Sequence, residues 1–365
     1  MNRFLFKLHG YLALIACIPL VLVCLSGSAL VFKHDIDRLL MPGKVSVQPL
    51  NSRLSLDELL KVVNGQFPIY EVVGWEIFPD PARADLISLI AHSNSERSRV
   101  TMDPYRGVVL TSPSEGGRNF TDKLHSFHYT LLLGNAGLLG SGLVAVVLCI
   151  LGISGLILRR KFWRNFFTLR YSARRILFFS DLHKFLGVLA SPVLLVVGFT
   201  GAYWNFPLFV YEVQKPATSD SRPMMAARWY DDSISVQSMH DDSMRRIDGF
   251  QPSYLSFPSR AGSGFSVLGG NKNANPLFSR YASSVSFSAD TGDYVVRYDI
   301  RQADSRSRIE NSFRRLHIGN FSGLISRVLW FVLGLVPLIL AGTGISLWVK
   351  RRPQRRRALA ERCAK

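Results

Sequence analysis

The chain has 365 residues, 48% of them hydrophobic, with four cysteines and a formal net charge of +18. Its apolar residues are gathered into four long runs, which excludes a purely soluble protein. Its basic residues crowd the N-terminus, "RRKFWRNFFTLRYSARR" (159–175) and "KRRPQRRR" (350–357), so the excess charge reflects topology and attraction to anionic lipid heads and points to no nucleic-acid partner.

The first run, Leu8 to Phe32, exceeds the roughly 20 apolar residues that cross a bilayer. It follows Arg3 and Lys7 as a signal peptide would, but its apolar part is too long and no small-residue cleavage site closes it. It reads as an uncleaved transmembrane helix, residues 1–35. Residues 36–120 read as a small α+β domain: "LSLDELLKVV" (54–63) is a helix opened by a capping box of Ser55 and Glu58. The stretches "YEVVGWEIF" and "DLISLIAH" alternate as strands, and "SRVTMDPYRGVVL" is two strands about a turn at Asp103 to Gly107.

A second transmembrane helix occupies 121–160, with its apolar run at Ala136 to Leu158, and a basic loop fills 161–181. The third helix, 182–207, has its run at Phe185 to Phe206. A second small α+β domain at 208–313 repeats the strand, Asp-containing turn, strand pattern in "SSVSFSADTGDYVVRYD". The fourth helix, 314–350, has its run at Val328 to Val349, and a basic tail covers 351–365. The positive-inside rule then puts both termini and the basic loop in the cytoplasm and the two polar domains outside. None of the cysteines lies in those domains, so they fold without disulfides, and no cysteine spacing suggests a metal cluster.

Residues 8–32 align without a gap on 182–206 at an offset of 174, which matches His9 to His183. An offset of 189 matches Gly155 to Gly344 and His128 to His317. The expected fold is therefore an α-helical membrane protein: a four-transmembrane-helix bundle of two parallel repeats, two helices each, with two outer α+β domains. Halves of like orientation are related by an axis along the membrane normal, so matched residues lie at matched depth. Bundles build cofactor sites from facing helices, and a haem iron accepts an imidazole from each face. His9 with His183 and His128 with His317 are thus candidate axial ligands for two haems.

Helix rise puts His128 roughly 45 Å from Leu158, at or just beyond the outer boundary. Arg314, Arg315, Arg327 and Lys123 could meet propionates, and Gly10, Gly137, Gly140, Gly187 and Gly319 would permit close approach. His125, three residues before His128, and His34, beyond the first helix, are alternative ligands; His92 and His240 read as ordinary polar-domain residues. The competing reading of any one histidine is an interfacial residue bonded to a carbonyl or water.

The motifs "LHGYLAL...SGSALVF", "LHSFHYTLLLGNAG", "DLHKFLGVLASPVLLVVGFTGAYW" and "LHIGNFSGLISRVLWFVLGLVPLILAGTGISLWVKRR", with the turns "MDPYRGVVL" and "SADTGDYVV", resemble the PepSY-associated transmembrane family. Within it they are most similar to bacterial inner-membrane ferric-siderophore reductases of the ferrioxamine type. The resemblance implies a haem-b oxidoreductase carrying two haems, with periplasmic PepSY-like domains, that reduces ferric iron held by a siderophore. It implies no catalytic acid or base. No Gly-rich dinucleotide fingerprint is present, so electrons would come from quinol or an unidentified cytoplasmic donor. Two other classes compete: a haem-free anchored PepSY module that binds or inhibits a periplasmic protein, and a siderophore or haem transporter. The transporter lacks a strongly charged mid-membrane residue for ion coupling.

Overall fold

The computed structural model describes residues 3–92, 97–113, 119–159, 170, 174–214, 228–260 and 262–363, with side chains to Lys350. The chain forms two compact units. One gathers the residues up to Phe32, Lys123–Gln214 and everything from Leu316 onward; the other gathers Lys33–Asp122 and the stretch ending at Arg315. Most of the basic loop 161–181 lies outside the described residues.

In the helix unit, α1 (Arg3–Ile15) and α2 (Cys17–Leu30) are followed by α6 (Phe120–Thr130), α7 (Gly134–Leu158), α8 (Arg175–Gln214), the end of α10 (Ser305–Ile318), and α11 (Gly323–Cys363). Among the described residues, three stretches are long and apolar enough to cross a membrane: Gly134–Leu158, Arg175–Gln214 and Gly323–Lys350. The first run differs from the unbroken helix expected, because α1 and α2 meet at a 68° bend and reach spanning length only as a pair. Pro19 explains the break: it has no N–H for the carbonyl of Ile15 and its ring crowds that carbonyl. The helices pack in a circuit, α1 and α2 on α7, α7 on α8, α8 on α11, and α11 back on α2. Ala16, Leu20, Val144, Leu148, Ala190, Leu194 and Val336 form the shared core.

The second expected helix is also interrupted. Leu131 and Leu132 adopt φ of 49° and 59° and end α6, and α7 begins only at Gly134. Left-handed leucine costs roughly 1–2 kcal/mol per residue, so neighbours must hold the turn. Ser141 donates to Tyr129 O, and Asn205 Nδ2 donates to Ser141 Oγ at 2.7 Å and to Tyr129 O at 3.3 Å. A Cβ on Gly137 would fall 1.6 Å from Thr130 O, so only glycine lets α6 close onto α7. A second break precedes α11, where Trp330 Nε1 donates to Leu316 O at 2.7 Å beside Gly319 at φ +76°. The rise estimate for His128 assumed one helix and does not hold across this turn.

The second unit contains α3 (Lys33–Leu40), α4 (Pro42–Val45), α5 (Leu56–Gln66), α9 (Val236–Arg246) and eight strands. The strands are β1 (Tyr70–Glu76), β2 (Asp85–Ala91), β3 (Arg97–Asp103), β4 (Val108–Val109), β5 (Phe250–Ser256), β6 (Phe265–Asn271), β7 (Ser283–Phe287) and β8 (Tyr294–Tyr298). The two polar stretches, expected as separate small domains, share one antiparallel sheet of order β4-β3-β2-β1-β5-β6-β7-β8. β1 and β5 join the halves through Gly74 opposite Ser256, Trp75 opposite Leu255 and Glu76 opposite Tyr254. Each of these strands carries an irregularity, at Val72/Gly74 and at Pro252/Tyr254. A bulge shifts the alternation by one, and so Val72 and Trp75 both enter the core with Leu59, Met239 and Val285.

Ser55 and Glu58 form the expected capping box. The helices α5 and α9 also cap each other: Asp57 Oδ1 accepts from Val236 N at 2.7 Å and Gln237 N at 3.2 Å, and Gln237 Oε1 accepts from Leu56 N at 2.9 Å. Asp57→Ala should orphan both α9 donors and destabilise the protein by about 1–2 kcal/mol. Denaturant unfolding of the purified full chain, read by circular dichroism, checks this against Asp57→Asn, which keeps an acceptor oxygen and should lose less.

Candidate functional site

All four paired histidines lie half-buried in the helix unit, and each receives the same setting. His9 Nδ1–H donates to Ser154 Oγ at 2.7 Å, and His183 Nδ1–H to Thr343 Oγ1 at 2.9 Å. His317 Nδ1–H donates to Thr200 Oγ1 at 2.7 Å, and His128 Nδ1–H to Val23 O at 3.0 Å and Ser26 Oγ at 3.2 Å.

The hydroxyls fix the proton. Each spends its single O–H on a carbonyl of its own helix: Ser26 on Leu22 O at 2.8 Å, Ser154 on Leu151 O at 3.2 Å, Thr200 on Val196 O at 2.7 Å, and Thr343 on Ile339 O at 2.7 Å. With the O–H so placed, what remains on the oxygen is a lone pair, and this assigns the imidazole as the donor. For His128 the carbonyl of Val23, which can only accept, requires the same assignment. In a neutral ring this leaves Nε2 unprotonated with its lone pair available, the form that ligates a metal.

A glycine follows every one of these hydroxyls. A Cβ on Gly27 would stand 2.7 Å from His128 Cε1, on Gly201 3.4 Å from His317 Cε1, on Gly344 3.4 Å from His183 Cε1 and on Gly155 3.7 Å from His9 Cε1. Ser26-Gly27 matches Thr200-Gly201 at the offset of 174, and Ser154-Gly155 matches Thr343-Gly344 at 189. These eight residues were not among the expected site residues, although the repeat that paired the histidines also pairs them. Of the glycines expected to allow close approach, Gly10 and Gly140 face open space, Gly187 makes an ordinary contact with Leu340, and Gly137 and Gly319 serve the two turns. Gly27→Ala should therefore push the His128 ring aside and destabilise the packing by about 1–3 kcal/mol. Gly140→Ala should be neutral, and thermal unfolding of the two purified variants, read by circular dichroism, measures the difference.

The rings of His128 and His317 lie with centroids 6.2 Å apart at an interplanar angle of 60°, and Trp204 packs edge-on to His317 at 5.2 Å. Two metal–nitrogen bonds of about 2 Å each would take up most of that separation. His9 lies within electrostatic range of His183. His183 and Thr200, the acceptor for His317, are both in α8; the step of seventeen residues from one to the other corresponds to a rise of about 25 Å. The two settings thus occupy opposite ends of the apolar core. Each pair offers two imidazole nitrogens with small residues against the rings and apolar surroundings, a donor set of the kind that a planar iron porphyrin accepts.

Arg327 Nε donates to Val31 O at 3.3 Å, with its guanidinium 4.5 Å from the Phe32 ring centre. Lys123 is exposed, and so is His125, whose ring is 5.1 Å from that of Tyr129. Arg314, Arg315 and His34 fall in the sheet-bearing unit. There Arg314 lies over Tyr281 at 5.3 Å, Arg315 lines a cleft, and exposed His34 packs edge-on to Phe78.

No curated protein matches this chain. The family described as "PepSY-associated TM region" matches residues 6–351, which include every helix and strand described above save the ends of α1 and α11. The chain is a membrane protein that belongs to the PepSY-associated transmembrane family.

Proposed function

We propose that this protein is a di-haem transmembrane electron conduit, four spans built from two parallel repeats, that reduces ferric iron in siderophores at the periplasmic face of the bacterial inner membrane. Haem b, when bound, supplies a one-electron redox centre. The chain supplies everything else. His9 with His183 and His128 with His317 would hold the two irons, and the hydroxyls hold each imidazole in the Nδ1–H form. The glycines leave room beside the rings, and the apolar core keeps water from the space between the sites. Quinol or an unidentified cytoplasmic donor would provide electrons to the inner site. Ferrous iron binds hard siderophore oxygens far less tightly than ferric iron, so one-electron reduction releases it.

The observation that carries this reading is the fourfold repetition of one tautomer-fixing arrangement. A merely structural histidine needs any one partner, and nothing in packing asks four of them to share the same hydroxyl-glycine support. The test is haem quantitation on detergent-purified full-length protein, with the expected result of two haems per chain. A preparation from haem-replete cells with no Soret band would overturn the proposal and favour the haem-free binding module.

A further inference from the structure

The sheet-bearing unit holds a cleft of about 510 Å³, inside the range of small-molecule sites. It lies where the connection between β6 and β7, residues 272–282, passes over Pro252 and the segment Ile77 to Pro79 that follows β1. The matching connection between β2 and β3 is only residues 92–96, so the longer loop gives the second half a feature the first lacks. Binding residues are disproportionately carried by loops set on a rigid scaffold.

The charge of the lining is one-sided. Lys272, Arg280 and Arg315 contribute, and among the described residues the lining contains no aspartate or glutamate. Glu76 stands behind it, accepting from Arg280 Nη2 at 3.0 Å and from the Tyr281 hydroxyl. That carboxylate is held by Arg280 and Tyr281 behind the lining. Arg83 adds a further positive charge beside the cleft: its guanidinium lies 3.3 Å and that of Arg280 4.9 Å from the centre of the Phe78 ring, a lining residue. Burial and the neighbouring Arg280 both disfavour the charged form of Arg315.

The unsatisfied hydrogen-bonding groups of the lining residues are donors too. Asn271 spends its oxygen on the Ser283 hydroxyl at 2.8 Å, which leaves Nδ2 buried with no partner, and Arg280 Nε is buried without one. Such groups carry a cost and call for an explanation. Guanidinium groups and a lysine that line the cleft together with Phe78, Phe278 and Pro276 match an oxygen-rich anion with an apolar or aromatic body.

We infer that this cleft binds an anionic small molecule. Resting on the function proposed above, the anion is a negatively charged ferric chelate. Three hydroxamates cancel the charge of ferric iron, whereas catecholate or hydroxycarboxylate donors leave the complex anionic. The cleft thus selects for the second class over neutral tri-hydroxamates.

Gallium(III) replaces ferric iron in such complexes and is not reduced, so it separates binding from turnover. The experiment is calorimetric titration of detergent-solubilised full-length protein with a gallium tricatecholate, a neutral gallium tri-hydroxamate of similar size, and inorganic phosphate. The tricatecholate should bind at least about tenfold tighter than the tri-hydroxamate, and the preference should weaken as salt is raised. Arg315→Gln and Lys272→Gln should each weaken the tricatecholate about tenfold, equivalent to 1.4 kcal/mol, and leave the tri-hydroxamate unchanged. Lys272 is exposed, so its variant keeps the test open if loss of Arg315 disturbs folding. Equal affinity of wild-type protein for both complexes, or a preference intact in both variants, overturns the inference. Full displacement of the tricatecholate by phosphate at equal concentration overturns the assignment to a chelate. Soret absorbance of the same samples reports separately on the haem reading: anion selectivity without haem overturns only that reading, and haem without anion selectivity overturns only this one.

Discussion

Replacing His128 and His317 together by alanine is expected to halve the Soret absorbance of the purified protein, and replacing His9 and His183 together to remove the other half. The four-histidine variant should retain none. The two losses should be independent because the sites are separated by about 25 Å of helix rise, with Leu20, Leu148, Leu194 and Val336 packed in the core of the unit. Substitutions that far apart with no shared partner are additive in general. Each pair should also fail as a unit, since one imidazole left alone offers only one axial bond. His125→Ala and His34→Ala should leave the spectrum intact: both residues are exposed, and the one ring stacks near Tyr129 and the other near Phe78. Far-ultraviolet circular dichroism confirms that the helices persist in each variant. Loss of both haems with either pair, or of neither, would refute the assignment of ligands.

What the sequence made legible was whatever depends on local chemistry or on strict repetition. The Ser55 and Glu58 capping box needs only a hydroxyl and a carboxylate three residues apart, and it formed. The turn after β3 needs an aspartate to accept from Tyr105 N and Arg106 N and a glycine at φ +66°, and "DPYRG" supplies both. The break at Leu131 and Leu132 was illegible for the opposite reason. Leucine is a strong helix former, and what holds these two in left-handed geometry is Asn205 and Ser141, on α8 and α7. The bend at Ala16 did have a signal, Pro19, which an apolar-run reading passes over.

The sheet was hidden by distance along the chain and by composition. Nothing near Trp75 announces that its neighbour is Leu255, and β5 contains Pro252, a residue that argues against a central strand until the irregularity beside it is seen. Helix α9, "VQSMHDDSMRR", buries only Val236, Met239 and Ser243, too few for a periodic pattern to stand out. The histidines were legible because the repeat places like residues at like depth. Their support went unread because serine, threonine and glycine are common in packed membrane helices, and only the hydrogen bonds to the hydroxyls and the closeness of the rings to the glycines single out these eight.

The hydroxyls make a graded prediction. His128, His183 and His317 each have a backbone carbonyl within hydrogen-bonding reach besides the hydroxyl: Val23 O, Leu340 O and Val197 O respectively. Among the described residues, His9 has Ser154 alone. Ser154→Ala should therefore cost most, with haem affinity at that site falling about 10–100-fold. Ser26→Ala, Thr200→Val and Thr343→Val should cost less, because the carbonyl keeps the Nδ1–H oriented. The sign of the redox effect follows from the same bond. Donation from Nδ1–H makes Nε2 a stronger base, which favours ferric over ferrous iron, so loss of the acceptor should raise the midpoint potential of the His9 and His183 site. Equilibrium haem titration and redox potentiometry of the purified variants measure both quantities without reference to activity. Ser346→Ala, which removes an exposed hydroxyl bonded among the described residues to Gly342 O, serves as control. If Ser154→Ala matched that control in both measurements, the hydroxyls would be helix-packing groups with no hold on the imidazoles.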